Sequence, residues 1–146
     1  MEKAIYFDMD GTIANLYGVE NWLPKLRAYD ASPYMDAVPM VRLSALAKRL
    51  NNLQKQGYVV GIVSWLSKDP NPAYGEAVTT AKRAWLAKHL PSVDWDEIHI
   101  VPYGTPKASV VDFPMGVLFD DEKPNREAWS GEAFDVDSIL ETLRAL

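Results

Sequence analysis

Apolar residues along this chain arrive in short blocks, separated by stretches where they recur every three or four positions. Ala4-Ile5-Tyr6-Phe7 has the look of a buried strand and stops at Asp8. Tyr58 to Val63 is a second such run, closed by Ser64, and Ile98-His99-Ile100-Val101 is a third. Val117-Leu118-Phe119 is a fourth, stopped by Asp120-Asp121, and Phe134 with Val136 forms a short fifth. Between them, Leu43, Leu46, Leu50 and Leu53 predict a helix over Val41 to Gln56, with Gly57 as its stop. Asn71-Pro72 reads as an N-cap and first-turn proline. The helix it opens buries Val78, Ala81 and Trp85 and ends near His89. Ser138 and Glu141 have capping-box spacing and open a last helix with Ile139, Leu143 and Leu146. The segment from Ile13 to Pro39 is rich in aromatics and prolines and has no clean period.

Strands alternating with helices at these spacings predict an α/β fold: a parallel sheet of about five strands with helices on both faces. Sites in such sheets form at the carboxyl ends of the strands. Asp8 and Asp10 stand there together, since residues i and i+2 of a strand point the same way. Two carboxylates facing one site need a cation or a shared proton to coexist. The pair suits a carboxylate nucleophile beside a carboxylate acid around a hard, oxygen-liganded metal. The plainer alternative is an Asx turn closed by Gly11.

Composition narrows the field modestly. The 146 residues, 48% of them hydrophobic, fit one domain with a real core, spanning 1–146. A net charge of −5 argues against a surface built to hold a nucleic acid duplex. There is no cysteine, so disulfides and thiolate chemistry are excluded. The chain runs from Met-Glu-Lys straight into a strand, and no apolar run nears the roughly 18 residues of a membrane span. The expectation is a soluble, cytoplasmic protein without a membrane partner; its oligomeric state is open.

In chain order the strand ends carry Asp8-Met9-Asp10-Gly11-Thr12, then Ser64, then Lys107 just after Thr105-Pro106, then Asp120-Asp121. That four-part order resembles the haloacid dehalogenase (HAD) superfamily over about residues 4 to 136. The resemblance implies a Rossmann-like three-layer fold with a small helical cap inserted at about 15–39. It also implies a phosphatase, in which Asp8 is the nucleophile that becomes an aspartyl-phosphate and Asp10 is the general acid and base. Ser64 would bind a phosphoryl oxygen, with Gly11 and Thr12 also at the substrate. Trp65 follows Ser64 where many relatives carry something small, placing an indole either over the substrate or in the core. Lys107 is favoured as the third part of that pattern because it precedes the acidic strand end. Lys82 and Lys88 compete, but sit in the preceding helix and read as solvated face charges. Asp121 would ligate Mg²⁺ beside Asp8 and the backbone carbonyl of Asp10, while Asp120 acts directly, through water or through the lysine. Asn125 stands where the family is usually acidic.

A narrower likeness is to the 5′(3′)-deoxyribonucleotidase family. It is carried by Lys82-Arg83-Ala84-Trp85-Leu86, Leu90-Pro91, Ile98-His99-Ile100-Val101-Pro102, and Leu118-Phe119-Asp120-Asp121 with Asn125, Trp129 and Gly131. It implies a nucleoside monophosphate as the small phosphorylated substrate. Rings among Trp22, Tyr29, Tyr34 and Trp65 would contact the base, unless they only pack the cap onto the core. Two alternatives remain open: a phosphatase of polynucleotide ends or another phosphorylated metabolite, and a non-catalytic phosphate-binding module.

Overall fold

A strand covered on both faces has no solvent side to alternate toward, so its residues can all be apolar. Ala4, Ile5, Tyr6 and Phe7 meet that condition, being fully buried, and form the central strand β1 (Ala4–Phe7). The computed structural model describes residues 2–69 and 71–146. After β1 come β2 (Ala14–Asn15), a 3₁₀ turn (Leu16–Gly18), α1 (Trp22–Arg27), α2 (Ser32–Asp36) and β3 (Val38–Pro39). Then follow α3 (Leu43–Lys55), β4 (Val59–Trp65), α4 (Pro72–His89), β5 (Glu97–Val101) and a 3₁₀ turn (Lys107–Ser109). The chain closes with β6 (Val117–Phe119), α5 (Lys123–Ala128), β7 (Ala133–Phe134), a 3₁₀ turn (Val136–Ser138) and α6 (Ile139–Arg144).

The main sheet runs β5-β4-β1-β6-β7 with every neighbouring pair parallel. Ile5 lies level with Val60 on one side and Val117 on the other. The chain builds outward from β1 through β4 to β5, then returns to the far side of β1 for β6 and β7. A crevice at such a reversal is where ligands sit in open parallel sheets. β2 and β3 pair antiparallel and close off the insertion between them.

Strand alternation divides the core in two. Ile5 and Phe7 pack with Leu46, Leu50 and Leu53 of α3, Trp85 and Leu86 of α4, and Ile139 and Leu143 of α6. Ala4 and Tyr6 face the other way, toward Leu118, Val111 and Trp129. The layer on this second face is thin, formed by the chain around 108–113 and the end of α5 rather than by a long helix. A third cluster joins Leu16 and Tyr34 to Tyr74, Val78 and Ala81, and so fastens the insertion to α4.

The expected elements are present with small shifts. Asn71 caps α4 by accepting from the Tyr74 N–H at 2.9 Å. Gly57, just past α3, has φ +92°, a left-handed turn that glycine adopts without strain. Two expectations need correcting. Val136 lies in a 3₁₀ turn rather than the fifth strand, and Ser138 makes no side-chain cap to α6. Ser138 closes that 3₁₀ turn at φ −123°, ψ 19°, outside the extended geometry that aims a capping hydroxyl along the helix. Its hydroxyl accepts from Thr142 instead. Among the described residues, no helix is long and apolar enough to cross a membrane.

Candidate active site

Because β1, β4 and β6 are parallel, their carboxyl ends bring Asp8, Ser64 and Asp120 to one edge of the sheet. Asp8 continues the ladder, its N–H donating to the Phe119 carbonyl at 2.9 Å. The chain then turns sharply. The N–H groups of Thr12, Ile13 and Ala14 all donate to the Met9 carbonyl, while the Gly11 N–H donates to the Ala14 carbonyl. Gly11 has φ +79°, and a Cβ there would strike the Asp121 carboxylate and the Tyr17 ring. The turn thus needs glycine twice over: for its backbone angle and for the closeness of Asp121.

Each oxygen of Asp8 is held. Lys107 donates to Oδ1 at 3.0 Å, and the Thr12 hydroxyl donates to Oδ2 at 3.0 Å. Lys107 also donates to Asp120 Oδ2 at 2.7 Å, and the Glu122 N–H donates to Asp120 Oδ1 at 2.9 Å. Both oxygens of the fully buried Asp120 are therefore engaged, one of them by Lys107. Burial pulls the Lys107 ammonium down, but Asp8 and Asp120 more than offset this and leave it above the usual lysine value.

Asp8, Asp120 and Asp121 each offer a carboxylate oxygen, all within 4.8 Å of one another. Burial, then the charge of Asp8, pushes Asp120 up to about 6 and Asp121 up to about 7. With Asp10 nearby, four carboxylates confront two ammoniums, Lys82 and Lys107. An all-oxygen cluster short of two positive charges fits a hard divalent cation such as Mg²⁺. Asp10 is raised from the usual carboxylate value by burial, with Lys82 opposing and Asp8 reinforcing.

A cavity of about 310 Å³ opens over this cluster. Asp8, Asp10, Lys107 and Asp120 lie at one end; Tyr17, Trp22, Tyr34 and Trp65 line the walls with Leu66 and Tyr103. Asn125 also lines it. Trp65 is fixed by an Nε1–H bond to the Thr105 carbonyl at 2.7 Å, its ring packed on Tyr103 and 5.3 Å from the Lys107 ammonium. Trp65 is thus both a packing residue and a wall.

Several sequence expectations change. Lys82 is no solvated charge: it is fully buried and donates to Asp10, Ser64 and the Trp65 carbonyl. It follows Val78 by four positions and precedes Trp85 by three, so it lies on the apolar stripe of α4. That spacing was the signal for a buried role. Lys88 is exposed, as expected. The Ser64 hydroxyl is buried against Lys82 instead of facing the cavity, and Thr12 supports Asp8 and Asp121 rather than lining it. The Gly11 N–H is used within its own turn. Tyr29 lies outside the cavity, bonded to Asp69 at 2.8 Å and packed on Tyr74. Tyr17 and Tyr103 were not anticipated as walls, because neither belongs to a motif.

The fold is that of a Rossmann-like α/β sheet with its site at the reversal beside β1. It is shared with solved structures of two D,D-heptose 1,7-bisphosphate phosphatases. One, from Burkholderia thailandensis, is 15% identical, aligns over 87% of this chain and 71% of its own, and has a TM-score of 0.52. The other, from B. bronchiseptica and complexed with magnesium and phosphate, is 12% identical, aligns over 99% of each chain, and has a TM-score of 0.57. At these identities the likeness is one of fold. No protein-family model and no curated protein matches the chain.

Proposed function

We propose that the protein is a Mg²⁺-dependent phosphomonoester hydrolase acting through an aspartyl-phosphate on Asp8, with a nucleoside monophosphate as substrate. One observation carries this reading. Asp8 stands at the cavity floor with one oxygen on Lys107 and the other on Thr12, which holds a carboxylate still for attack beside a fixed cation.

In this mechanism the Asp8 carboxylate attacks phosphorus as the ester P–O bond breaks. The Asp10 carboxyl, held above the usual value by burial, delivers its proton to the departing alcohol oxygen. Water then attacks the phosphorus and gives its proton to Asp10, the bond to Asp8 breaks, and phosphate leaves. Lys107 offsets the negative charge that gathers around Asp8 in both steps. Asp8, Asp121 and the Asp10 carbonyl would hold Mg²⁺, which neutralises phosphoryl charge when bound. The segment at about 15–39 acts as the cap, supplying Tyr17, Trp22 and Tyr34 to the cavity.

The substrate assignment rests on those walls. Aromatic faces around a cavity of about 310 Å³ suit a flat base, since stacking contributes roughly 1–3 kcal/mol. The B. thailandensis and B. bronchiseptica proteins bear the name of sugar bisphosphate phosphatases, which makes a phosphorylated sugar the main competitor. Phosphate release from nucleotides and sugar phosphates, with Mg²⁺ and with chelator, tests the assignment. Release from neither class would overturn the hydrolase reading, and release from sugars alone would overturn only the nucleotide.

A further inference from the structure

Lys82 lies in the middle of α4, fully buried, and its ammonium has three N–H groups. Each has a partner: Asp10 Oδ2 at 2.8 Å, the Ser64 hydroxyl at 2.8 Å and the Trp65 carbonyl at 2.7 Å. The Tyr34 ring covers the same ammonium, 5.2 Å from its centroid. No donor is left over for a substrate, and the side chain is not among those lining the cavity. Asp10 contributes to that lining, and among the described residues its Oδ1 has no hydrogen-bond partner.

We propose that Lys82 is a positioning residue that fixes the Asp10 carboxyl with Oδ2 turned inward and Oδ1 turned to the cavity. An ammonium offers only donors, so Oδ2 must act as acceptor and the transferable proton sits on Oδ1, where the leaving oxygen arrives. Ser64 and the Trp65 carbonyl anchor the ammonium from the end of β4. The register of β4 against β1 thereby sets the aim of the acid. Lys107 serves the attacking carboxylate and Lys82 the protonating one, so each cation of the site has a separate task.

The proposal rests on the phosphatase reading with Asp10 as acid, and its test separates the two. The quantity to measure is kcat/KM, which reports the step that breaks the ester bond. It is compared for an alkyl phosphate, whose leaving oxygen needs the proton, and for 4-nitrophenyl phosphate, whose leaving oxygen departs without it. A general acid contributes about 10²–10⁴-fold, so Lys82→Met should lose at least about tenfold more on the alkyl ester than on the aryl ester. In an Asp10→Asn background the same substitution should change the alkyl value by less than about threefold, because the acid it aims is gone. If Lys82→Met does not fold, Lys82→Arg, which keeps the charge on a head of different shape, is put through the same comparison with the same expectation. Equal losses on both esters, or losses that multiply with Asp10→Asn, would overturn the positioning role and leave the hydrolase reading standing. A wild-type protein that hydrolyses neither ester would overturn both.

Discussion

Asp121→Asn should make the metal-free protein more stable while weakening its response to Mg²⁺. The carboxylate oxygens of Asp8, Asp120 and Asp121 crowd within 4.8 Å, and among the described residues Lys107 alone bridges the first two. Two like charges at about 4 Å repel by about 1 kcal/mol in water and about 4 kcal/mol at an effective dielectric of 20. Asp121 is half-buried, so relief of its repulsion lies toward the lower end, about 1–2 kcal/mol. The Thr12 hydroxyl donates to Asp8 and accepts from the Asp121 N–H at 3.3 Å, and the asparagine variant keeps both bonds. For a chain of this size each kcal/mol moves the melting temperature by about 2–4 °C. Thermal melts in chelator should therefore place the variant about 2–8 °C above wild type. In Mg²⁺ at a hundredfold its Kd, wild type should gain about 2.7 kcal/mol and the variant far less. A variant that melts below wild type in chelator, or a wild type indifferent to Mg²⁺, would refute the picture of a cluster strained by its own charge.

Other outcomes follow from the same geometry. Asp8→Asn should depress phosphate release by several orders of magnitude while leaving circular dichroism unchanged, since it removes the proposed nucleophile but little packing. Lys107→Met should depress turnover at every Mg²⁺ concentration and cost about 3–5 kcal/mol in denaturant unfolding, because two carboxylates lose their buried partner. Excess Mg²⁺ should partly rescue Asp121→Asn but not this variant; identical metal titrations would undo the division of roles. Trp22→Ala should erase any preference for nucleotides over aryl phosphate, whereas Tyr29→Ala, outside the cavity, should not; competition assays on both substrates check this. Asp120 and Asp121 are raised from 3.8 to about 6 and about 7, so protons bind the folded state more tightly. Their contribution to metal-free stability is full below about pH 4 and is lost as pH climbs to about 7. Melts across that range in chelator should show the decline, and Mg²⁺ at neutral pH should offset it.

What could be read from sequence here was whatever rests on local period. β6 was bounded to the residue, because three apolar positions stop at two acids. The acids that end strands were legible for the same reason. Lys82 was not, although it lay on the buried stripe of α4, because a lysine's prior is solvent and its partners are 17, 18 and 72 residues away. Ser138 misled in the opposite sense: its spacing to Glu141 was right, but the 3₁₀ turn before α6 set a backbone angle that spacing does not encode. The cavity walls escaped similarly. Tyr103 joins them only because β5 places its following loop beside Trp65, a consequence of strand order.

The insertion is tied down unevenly. Its later half is moored to α4 at three points: Tyr74 donates to the Asp30 carbonyl at 2.9 Å, Tyr34 is buried against Val78 and Ala81, and Trp85 donates to the Ala37 carbonyl at 2.7 Å. α1 has no buried residue, and left-handed residues flank it, Asn21 at φ 57° and Tyr29 at φ 58°. α1 is held by lighter contacts, Leu26 against the third cluster and Trp22 edge-on to Tyr17 at 5.0 Å, while Tyr34 is buried against the helix that carries Lys82. One wall of the entrance is lightly fastened and the other is built into the core. Under the proposed nucleotide reading, a base stacked on Trp22 would add packing to the wall that has least of its own.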